Sequence, residues 1–571
     1  MKINLLKIIM ALAASLFGFW YSGWIMPHGM ALKEDLILFT YNSGFFESYF
    51  SRPGCLSTLA GDFFSQFLFN RWSGAFVMAV FMLSGYLLAA RTLRRFYAKS
   101  TACLTAIIPV GLELLAAGNV FWSLAMPAGW IISVVAFEGC SMIKDNRFWR
   151  PAVLFSVAAA LYVAVGSAVF VFVALVAARE DRDGAGKLLR AAGSAAAACA
   201  VCFGLRAWYM LPVEKAFAYP YSSVGQAWGV IALATMAFAS HISFARCEIP
   251  RAAASIASLG LAGIFLVLYL NYSPQKVENL LKISDEVARG QWAEALQTGE
   301  RLQDPIASSY INIALSEQGA LGSRMMEFYQ PSSSGLFLEV SPSAGWWTIF
   351  FASDAYFHVG DLAMAQHSAM LGMIFSPRER SARLVKRLAE ICIISGELQA
   401  ARKYASMLCN TLFHRAEGRQ LILQAQSAES FPTITNMRRR IHRRDLIRNF
   451  WPPVESLESL ALIEENRAAR DYLLAFHLLH KNIPAFFNSY TLYYKDSGRE
   501  PQKVWAEALL IYLAATGAKA DELRSLGISS EIVRSFADYT KAHEASGGSL
   551  NFLRQRFPGT YWVYYHFAAF K

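Results

Sequence analysis

The sequence predicts an all-α protein in which a polytopic transmembrane helical domain is followed by an α-solenoid. Two observations carry this prediction. Long apolar runs follow one another up to Tyr272, whereas the sequence from Ser273 on is amphipathic and compatible with water. The chain is also 55% apolar and only 17% charged, which is too hydrophobic for a soluble protein of 571 residues. We therefore expect a transmembrane domain over 1–272, helical repeats over 273–430 and a C-terminal helical extension over 431–571.

The basic residues are concentrated in the apolar half. Of the net charge of +11, +8 falls in the part up to Tyr272, where 20 Lys and Arg residues face 12 Asp and Glu residues. Lys and Arg beside membrane spans set the orientation of a membrane protein, so we interpret this excess as topological and expect no nucleic-acid partner. The eight cysteines form neither a disulfide framework nor a zinc-ligand pattern, and we predict no metal site from them.

Eight apolar runs approach the roughly 20 residues that a helix needs to cross the hydrocarbon core. The first run contains Lys7 and follows Lys2, and we expect it to be an uncleaved span rather than a signal peptide because further spans come after it. A fold-back within the fifth run would raise the number of spans to nine. The runs cover residues 5–26, 74–90, 101–117, 120–143, 151–178, 191–211, 224–244 and 253–272.

The basic clusters predict the side of the membrane on which each loop lies, because such clusters remain in the cytoplasm. Lys2 and Lys7 place the N-terminus inside and the large loop 27–73 outside. If the run 151–178 folds back near Gly166 as a short helical pair, the later basic loops lie inside and the chain after the last span lies outside. A single span there would leave the C-terminal domain in the cytoplasm. The charge pattern favours the fold-back, and with it a multi-pass protein of the bacterial inner membrane whose C-terminal domain is periplasmic.

The outer loop contains four carboxylates close to the membrane surface: Glu34, Asp35, Glu47 and Asp62. Its segment 56–67 has apolar residues at helical spacing and predicts an interfacial helix. A loop-one acid shortly after the first span, with interfacial helices before the second, resembles the glycosyltransferase-C superfamily.

That resemblance implies a transferase whose donor is a polyprenyl-phosphate-linked sugar. Asp35 or Glu34 would then act as the base, or as the ligand of a divalent cation. The alternative is a solvated acidic pair at the start of an interfacial helix, stabilised by the helix dipole.

Among the ionisable residues within predicted spans, Glu113 and Arg206 are the candidates for a functional role. Such groups are costly in a bilayer and mark functional sites by default. Arg206 offers a bidentate fork for a lipid phosphate, and we expect Glu113, Asp62 and Glu47 to line the same substrate site. The alternative pairs Glu113 with Arg206 as an internal structural ion pair.

A repeat of the pattern Gly-x-[Leu/Trp]-x-x-Ala begins at Gly290, Gly360 and Gly396, with a degenerate copy at Gly319. The intervals of 29, 41 and 36 residues scatter about 34, and the segment resembles tetratricopeptide repeats. In this pattern Gly ends the first helix of a pair and Leu or Trp starts the second. Stacked pairs form a solenoid that usually binds peptides or proteins.

The C-terminal extension has one strongly basic run. Polybasic clusters attract anionic lipid, so the run predicts contact with anionic headgroups or a phosphorylated glycan, and a solvated helix face is the alternative. We interpret His477 and His480 as surface residues, and expect the aromatic tail 547–571 to dock on the repeats or on the bilayer. The basic run consists of Arg438, Arg439, Arg440, Arg443 and Arg444.

The segments 53–56, 61–67 and 312–319 are also similar to an uncharacterised bacterial family that combines several spans with a tetratricopeptide-like tail. That family has no agreed activity, so the similarity supports the architecture alone. Two functions follow from the sequence. The first is a lipid-linked sugar transferase whose repeats hold the acceptor. The second is a non-catalytic membrane scaffold whose repeats recruit envelope-assembly partners.

Overall fold

A computed structural model describes most of the chain, and all regular structure in the described residues is helical, which confirms the all-α class. The chain forms two compact units. The first comprises Met1–Glu278 with Asn410–Phe413, and the second comprises Asn279–Cys409 with His414–Lys571. The predicted domain bounds stay predictions. The described residues are 2–143, 149–179, 184–221, 228–239, eight positions between 253 and 268, 275–341, 343–376, 378–442, 453–495, 498–517 and 525–568.

The first unit is built from thirteen described α-helices, joined in places by short 3-10 or π-helical turns. Many of their apolar faces are buried in one continuous hydrophobic core that includes Trp122, Trp130 and Tyr162. The helices are α1 (Lys2–Trp20), α2 (Pro27–Asp35), α3 (Ser43–Phe50), α4 (Cys55–Ser65), α5 (Arg71–Leu93), α6 (Lys99–Thr105), α7 (Ile107–Ala117), α8 (Ala125–Cys140), α9 (Trp149–Val165), α10 (Val169–Arg179), α11 (Gly184–Trp208), α12 (Val213–Ala218) and α13 (Trp228–Ala239).

Four segments among the described residues are long and apolar enough to cross a membrane, as in a multi-pass membrane protein. Two further predicted spans, 120–143 and 191–211, contain only shorter apolar helices, and most of 253–272 lies outside the described residues. The number of spans therefore stays a prediction. The four segments are Lys7–Ile25, Arg71–Leu93, Lys99–Ala117 and Trp149–Arg179.

The last of these segments is interrupted where the sequence predicts a fold-back. Helix α9 ends at Val165, Gly166 has a φ of +61°, and a 3-10 turn leads into α10. The Ser167 N–H donates to the Tyr219 carbonyl at 2.9 Å. A Cβ at Gly166 would lie 2.3 Å from that same carbonyl oxygen, so the position requires glycine both for its φ and for space. The side of the membrane that the chain reaches afterwards stays a prediction.

From residue 275 on, the described helices succeed one another mostly as antiparallel pairs. They are α14 (Gln275–Ala288), α15 (Trp292–Gly299), α16 (Pro305–Glu317), α17 (Leu321–Arg324), α18 (Trp346–Val359), α19 (Leu362–Phe375), α20 (Ala382–Ser395), α21 (Leu398–Cys409), α22 (Arg415–Gln426), α23 (Pro432–Arg439), α24 (Val454–Ala461), α25 (Arg467–Leu479), α26 (Ile483–Tyr493), α27 (Lys503–Thr516), α28 (Ser530–Ala545), α29 (Leu550–Arg556) and α30 (Tyr561–Phe567).

The Gly-x-[Leu/Trp] pattern marks the turn inside four of these pairs, as predicted. The four glycines have φ between +66° and +95°, in the left-handed region that glycine adopts at little cost. The residue after each glycine donates its N–H to a carbonyl five positions back, at 2.8–2.9 Å, which closes the end of the first helix. The next residue is the first of the second helix in every case: Trp292, Leu321, Leu362 and Leu398.

One buried ionic network ties the first helices of four pairs together. Asp354 on α18 accepts hydrogen bonds from Arg387 (2.8 Å) and Arg383 on α20, and from the Tyr310 hydroxyl on α16 (2.5 Å). Arg383 also donates to the Ser284 hydroxyl on α14 at 2.9 Å. Burial alone would raise the pKa of Asp354, but the two guanidiniums hold it well below its usual range. The carboxylate therefore stays charged inside the unit.

The aromatic tail forms hydrogen bonds with α25 and α27, which lie in the predicted C-terminal extension, whereas the sequence predicted docking on the repeats 273–430 or on the bilayer. The Tyr561 and Tyr564 hydroxyls donate to the carbonyls of Leu478 and Leu479 at the end of α25, at 2.8 and 2.9 Å. The buried Glu507 carboxylate accepts the Tyr561 N–H at 2.7 Å at the start of α30. Its burial raises the pKa of Glu507 to about 7.

Candidate functional site

The second unit contains a cavity of about 1020 Å³, which we call the repeat cavity. The glycine turns at Gly360 and Gly396 line the cavity, together with residues of helices α24 and α26. The cavity therefore lies at the turn edge of two helical pairs. The conformation of the repeated motif thus shapes the candidate site.

Apolar and acidic side chains both line the repeat cavity. The apolar lining residues Leu462 and Leu492 are 71% and 69% exposed. The acidic lining residues are Asp361, Glu397, Glu455 and Glu458. Asp361 is partly engaged, since it accepts hydrogen bonds from the Met364 N–H (3.1 Å) and from Ser456.

The basic run contributes one arginine, Arg438, to the lining. Its guanidinium donates to the carbonyls of Ile393 and Ile394 at 2.8 and 3.1 Å, and so stabilises the C-terminal end of α20. Arg439 is exposed and Arg440 is half-buried, whereas Arg443 and Arg444 lie outside the described residues. Because Arg438 is engaged with these carbonyls and four carboxylates line the cavity, the charge of the lining is mainly negative.

The two residues predicted as catalytic lie at the end of α2, in the loop 27–73. Glu34 is buried and Asp35 is half-buried. Their neighbour Lys33, which the sequence analysis did not single out, is buried as well and donates to the Asn119 carbonyl at 2.5 Å. Burial lowers the pKa of Lys33 to about 7. The alternative interpretation placed Glu34 and Asp35 in solvent at the start of an interfacial helix. The structure does not agree with it for Glu34, which is buried near the end of α2.

The other two loop carboxylates have different surroundings. Asp62 on α4 is buried and accepts a hydrogen bond from the Tyr49 hydroxyl at 2.8 Å. Gly61 beside it allows α4 to approach α8 closely, because a Cβ there would lie 2.1 Å from the Ala125 nitrogen. Glu47 on α3 is exposed. Asp62 therefore belongs to the packed interior of the loop, while Glu47 faces solvent.

Glu113 on α7 is fully buried, and its partner is an indole rather than an arginine. Trp122 Nε1 donates to one carboxylate oxygen at 3.1 Å, and the other oxygen, Oε1, has no hydrogen-bond partner among the described residues. The Trp122 ring also faces the ammonium of Lys33, with 5.8 Å between Nζ and the ring centroid. Arg206 is half-buried and contacts the Phe203 ring at 4.7 Å. The predicted Glu113–Arg206 ion pair is absent between these two described residues.

The part of the chain that the structure describes contains no group of three or more His, Cys, Asp or Glu side chains that could hold a metal ion. The predicted site residues are not brought together in one site. Glu113 contacts Trp122, whose ring faces Lys33, while Asp62 contacts Tyr49, and Arg438 lines the repeat cavity in the second unit. His477, predicted at the surface, is buried, and burial lowers its pKa to about 4.

Comparison with known proteins gives one match. Residues 1–568 match DUF6057, a family of unknown function. No curated protein and no solved structure matched the chain. The match covers nearly the whole chain and so includes both the apolar N-terminal part and the helical pairs. The chain is a member of the DUF6057 family.

Proposed function

We propose that this protein holds a helical-repeat domain on the outer face of the bacterial inner membrane, and that the domain binds a segment of a partner protein in the repeat cavity. The observation that carries the proposal is the cavity itself, with its volume of about 1020 Å³ and its exposed Leu462 and Leu492. A cavity of this size accommodates several side chains of a partner. The four spanning segments supply the anchor.

The chemistry of the lining selects the kind of partner. Leu462 and Leu492 would gain from contact with apolar side chains, at roughly 25 cal/mol for each Å² removed from water. Glu397, Glu455 and Glu458 would attract Lys or Arg side chains, because opposite potentials across an interface steer association. The partner segment is therefore amphipathic and basic.

Site-specific photocrosslinking in living cells tests this function. A benzophenone amino acid replaces Leu492 in the cavity or, as a control, Leu423, which is 58% exposed on α22 and does not line the cavity. We expect one prominent protein adduct from position 492 and none at that mass from position 423. Glu458→Lys should reduce the adduct severalfold without changing the expression level. The same adducts from both positions, or an adduct that is insensitive to Glu458→Lys, would rule the cavity out as the binding site.

A second candidate is the lipid-linked sugar transferase implied by the resemblance to the glycosyltransferase-C superfamily. It is favoured by a specific observation, the burial of Glu34 beside Lys33 at the end of α2, with Asp35 next to them. Buried ionisable groups near a membrane surface are candidates for proton transfer or phosphate binding. In this case the repeats would hold the acceptor.

The test of the transferase is Asp35→Asn, with Glu47→Gln as the matched loop control because Glu47 is exposed. Loss of a lipid-linked glycan product in Asp35→Asn, with normal expression and an unchanged melting temperature, would support the enzyme. Unchanged glycan profiles in both variants would leave the non-catalytic scaffold as the function.

A further inference from the structure

Two membrane-spanning segments of the first unit meet at an exposed cluster of one arginine and two tryptophans, which we call the Arg71 clamp. The segment Lys7–Ile25 ends where Arg71–Leu93 begins, and the two helices run antiparallel, since Gly23 packs near Ala75 and Ser15 donates to the Ala79 carbonyl. Ile25 and Arg71 therefore lie at the same end of the pair. The ends of spanning helices lie at the depth of the lipid headgroups.

The guanidinium of Arg71 is held in place from three sides. Its Nε donates to the Gly23 carbonyl at the end of the first span. Its Cζ lies 5.2 Å from the centroid of Trp24 and 5.1 Å from that of Trp72, within cation–π distance of both rings. The rings themselves meet edge to face, with centroids 5.1 Å apart. An arginine fixed in this way loses little further side-chain entropy when it binds an anion.

The clamp faces outward and carries net positive charge. Trp24 and Trp72 are 49% and 53% exposed, and Arg71 is exposed as well. Among the described residues, the guanidinium contacts a carbonyl and two indoles and forms no ion pair with a carboxylate. Arg71 is also the first residue of α5, and the positive end of that helix dipole favours an anion in the same place.

We propose that the Arg71 clamp binds the phosphate of a membrane lipid. The Nη groups supply the planar fork that suits a phosphate. The indole rings contact the apolar carbons next to the phosphate, and the ends of the two spans place the clamp at the depth of the headgroups. Two lipids share this chemistry, a phospholipid with its headgroup phosphate and a polyprenyl phosphate. Lipid binding at the clamp would occur whether or not the repeat cavity binds a partner or the protein is a transferase.

Native mass spectrometry of the purified full-length protein tests the proposal. The protein is released from detergent after incubation with phosphatidylglycerol or with a polyprenyl phosphate, and the fraction with one lipid bound is measured. Arg71→Gln should lower that fraction at least about tenfold, because charge-assisted hydrogen bonds to phosphate are among the stronger ones in proteins. Arg52→Gln is the matched control, since Arg52 is an exposed loop arginine that faces a single ring, Tyr219, at 6.0 Å.

The two lipids identify the source of the phosphate. If Arg71→Gln binds neither lipid, the clamp is a general site for lipid phosphates. If it loses only the binding of polyprenyl phosphate, the clamp is specific for that lipid. Arg71→Lys and Trp72→Leu keep the proposal testable if Arg71→Gln misfolds, and both should bind less lipid than the wild type. The proposal would be overturned if the lipid-bound fraction is unchanged in all the Arg71 and Trp72 variants, or if Arg52→Gln reduces it as much as they do.

Discussion

The contacts of the buried Asp354 predict how much the substitution Asp354→Asn destabilises the second unit. The substitution Asp354→Asn keeps the shape of the side chain and removes its charge. Arg383 and Arg387 would then remain in the interior beside a neutral amide, with side chains only 22% and 13% exposed. The Tyr310 hydroxyl would also lose its charged acceptor.

The expected cost follows from these contacts. Removing one partner of a buried, hydrogen-bonded ion pair typically costs about 3–5 kcal/mol, because the remaining charge stays desolvated. Both arginines keep some solvent contact, so we take the lower limit, about 3 kcal/mol. That value corresponds to about a 100-fold larger population of the locally opened state. Since the folded pKa of Asp354 lies below its ordinary value, its contribution is complete above about pH 4 and is lost only as the pH falls further.

Hydrogen–deuterium exchange of the full-length protein in detergent measures this opening locally. Peptides from Trp346–Val359 and Ala382–Ser395 should exchange about 100-fold faster in Asp354→Asn, equally at pH 6 and pH 8 once the intrinsic rates are corrected. The control is Glu327→Gln, which removes an equally short but exposed ion pair (2.8 Å, both side chains over 40% exposed) and should change exchange less than about threefold. An acceleration below about fivefold in Asp354→Asn would refute the structural role of the network.

Three further substitutions test the packing and the electrostatics of the second unit. Gly418→Ala should destabilise it by about 1–3 kcal/mol, because the new Cβ would lie 2.7 Å from the Cys409 nitrogen. Gly396→Ala meets no atom within 4 Å and should cost only about 1 kcal/mol, through its φ of +88°. Equal melting temperatures of these two variants would contradict the helix contact. Glu507 has a folded pKa of about 7 against 4.5 for an unperturbed glutamate, so its burial makes the protein lose stability as the pH rises from 4.5 to 7. Glu507→Gln should remove most of that loss, about 3 kcal/mol. The measurement is the drop in melting temperature between pH 5 and pH 8, and a drop as large as that of the wild type would show that Glu507 is not its source.

The turns between helices were the most predictable part of the fold, because one local rule decides them. A glycine in the left-handed conformation followed by a helix-starting Leu or Trp needs no tertiary contact, and Gly290, Gly319, Gly360 and Gly396 all conform. A fifth turn escaped the pattern. Lys481 has a φ of +54° between α25 and α26, a conformation that a non-glycine residue adopts only when its surroundings compensate for the cost.

The sites were less predictable, since they depend on residues that are far apart in the chain. The Asp354 network joins four helices, and no spacing rule relates its members. Glu113 was singled out as an ionisable group in a predicted span, but its hydrogen-bond partner Trp122 was not, because a neutral indole N–H leaves no charge pattern in the sequence. His477 was predicted at the surface because no acidic or cysteine partner lies near it in the sequence, whereas tertiary packing buries it. Lys33 was not singled out, because its burial also depends on tertiary packing.

The central claim is that the apolar N-terminal unit holds the helical pairs outside the cytoplasm, within reach of envelope partners. A reporter that is active only outside the cytoplasm, fused after Ser273, tests it most directly. We predict an active reporter, which would place the repeat cavity outside the cytoplasm, on the side predicted for the loop that contains Glu34 and Asp35. A silent reporter on a stably expressed fusion would put the helical pairs in the cytoplasm and contradict the account.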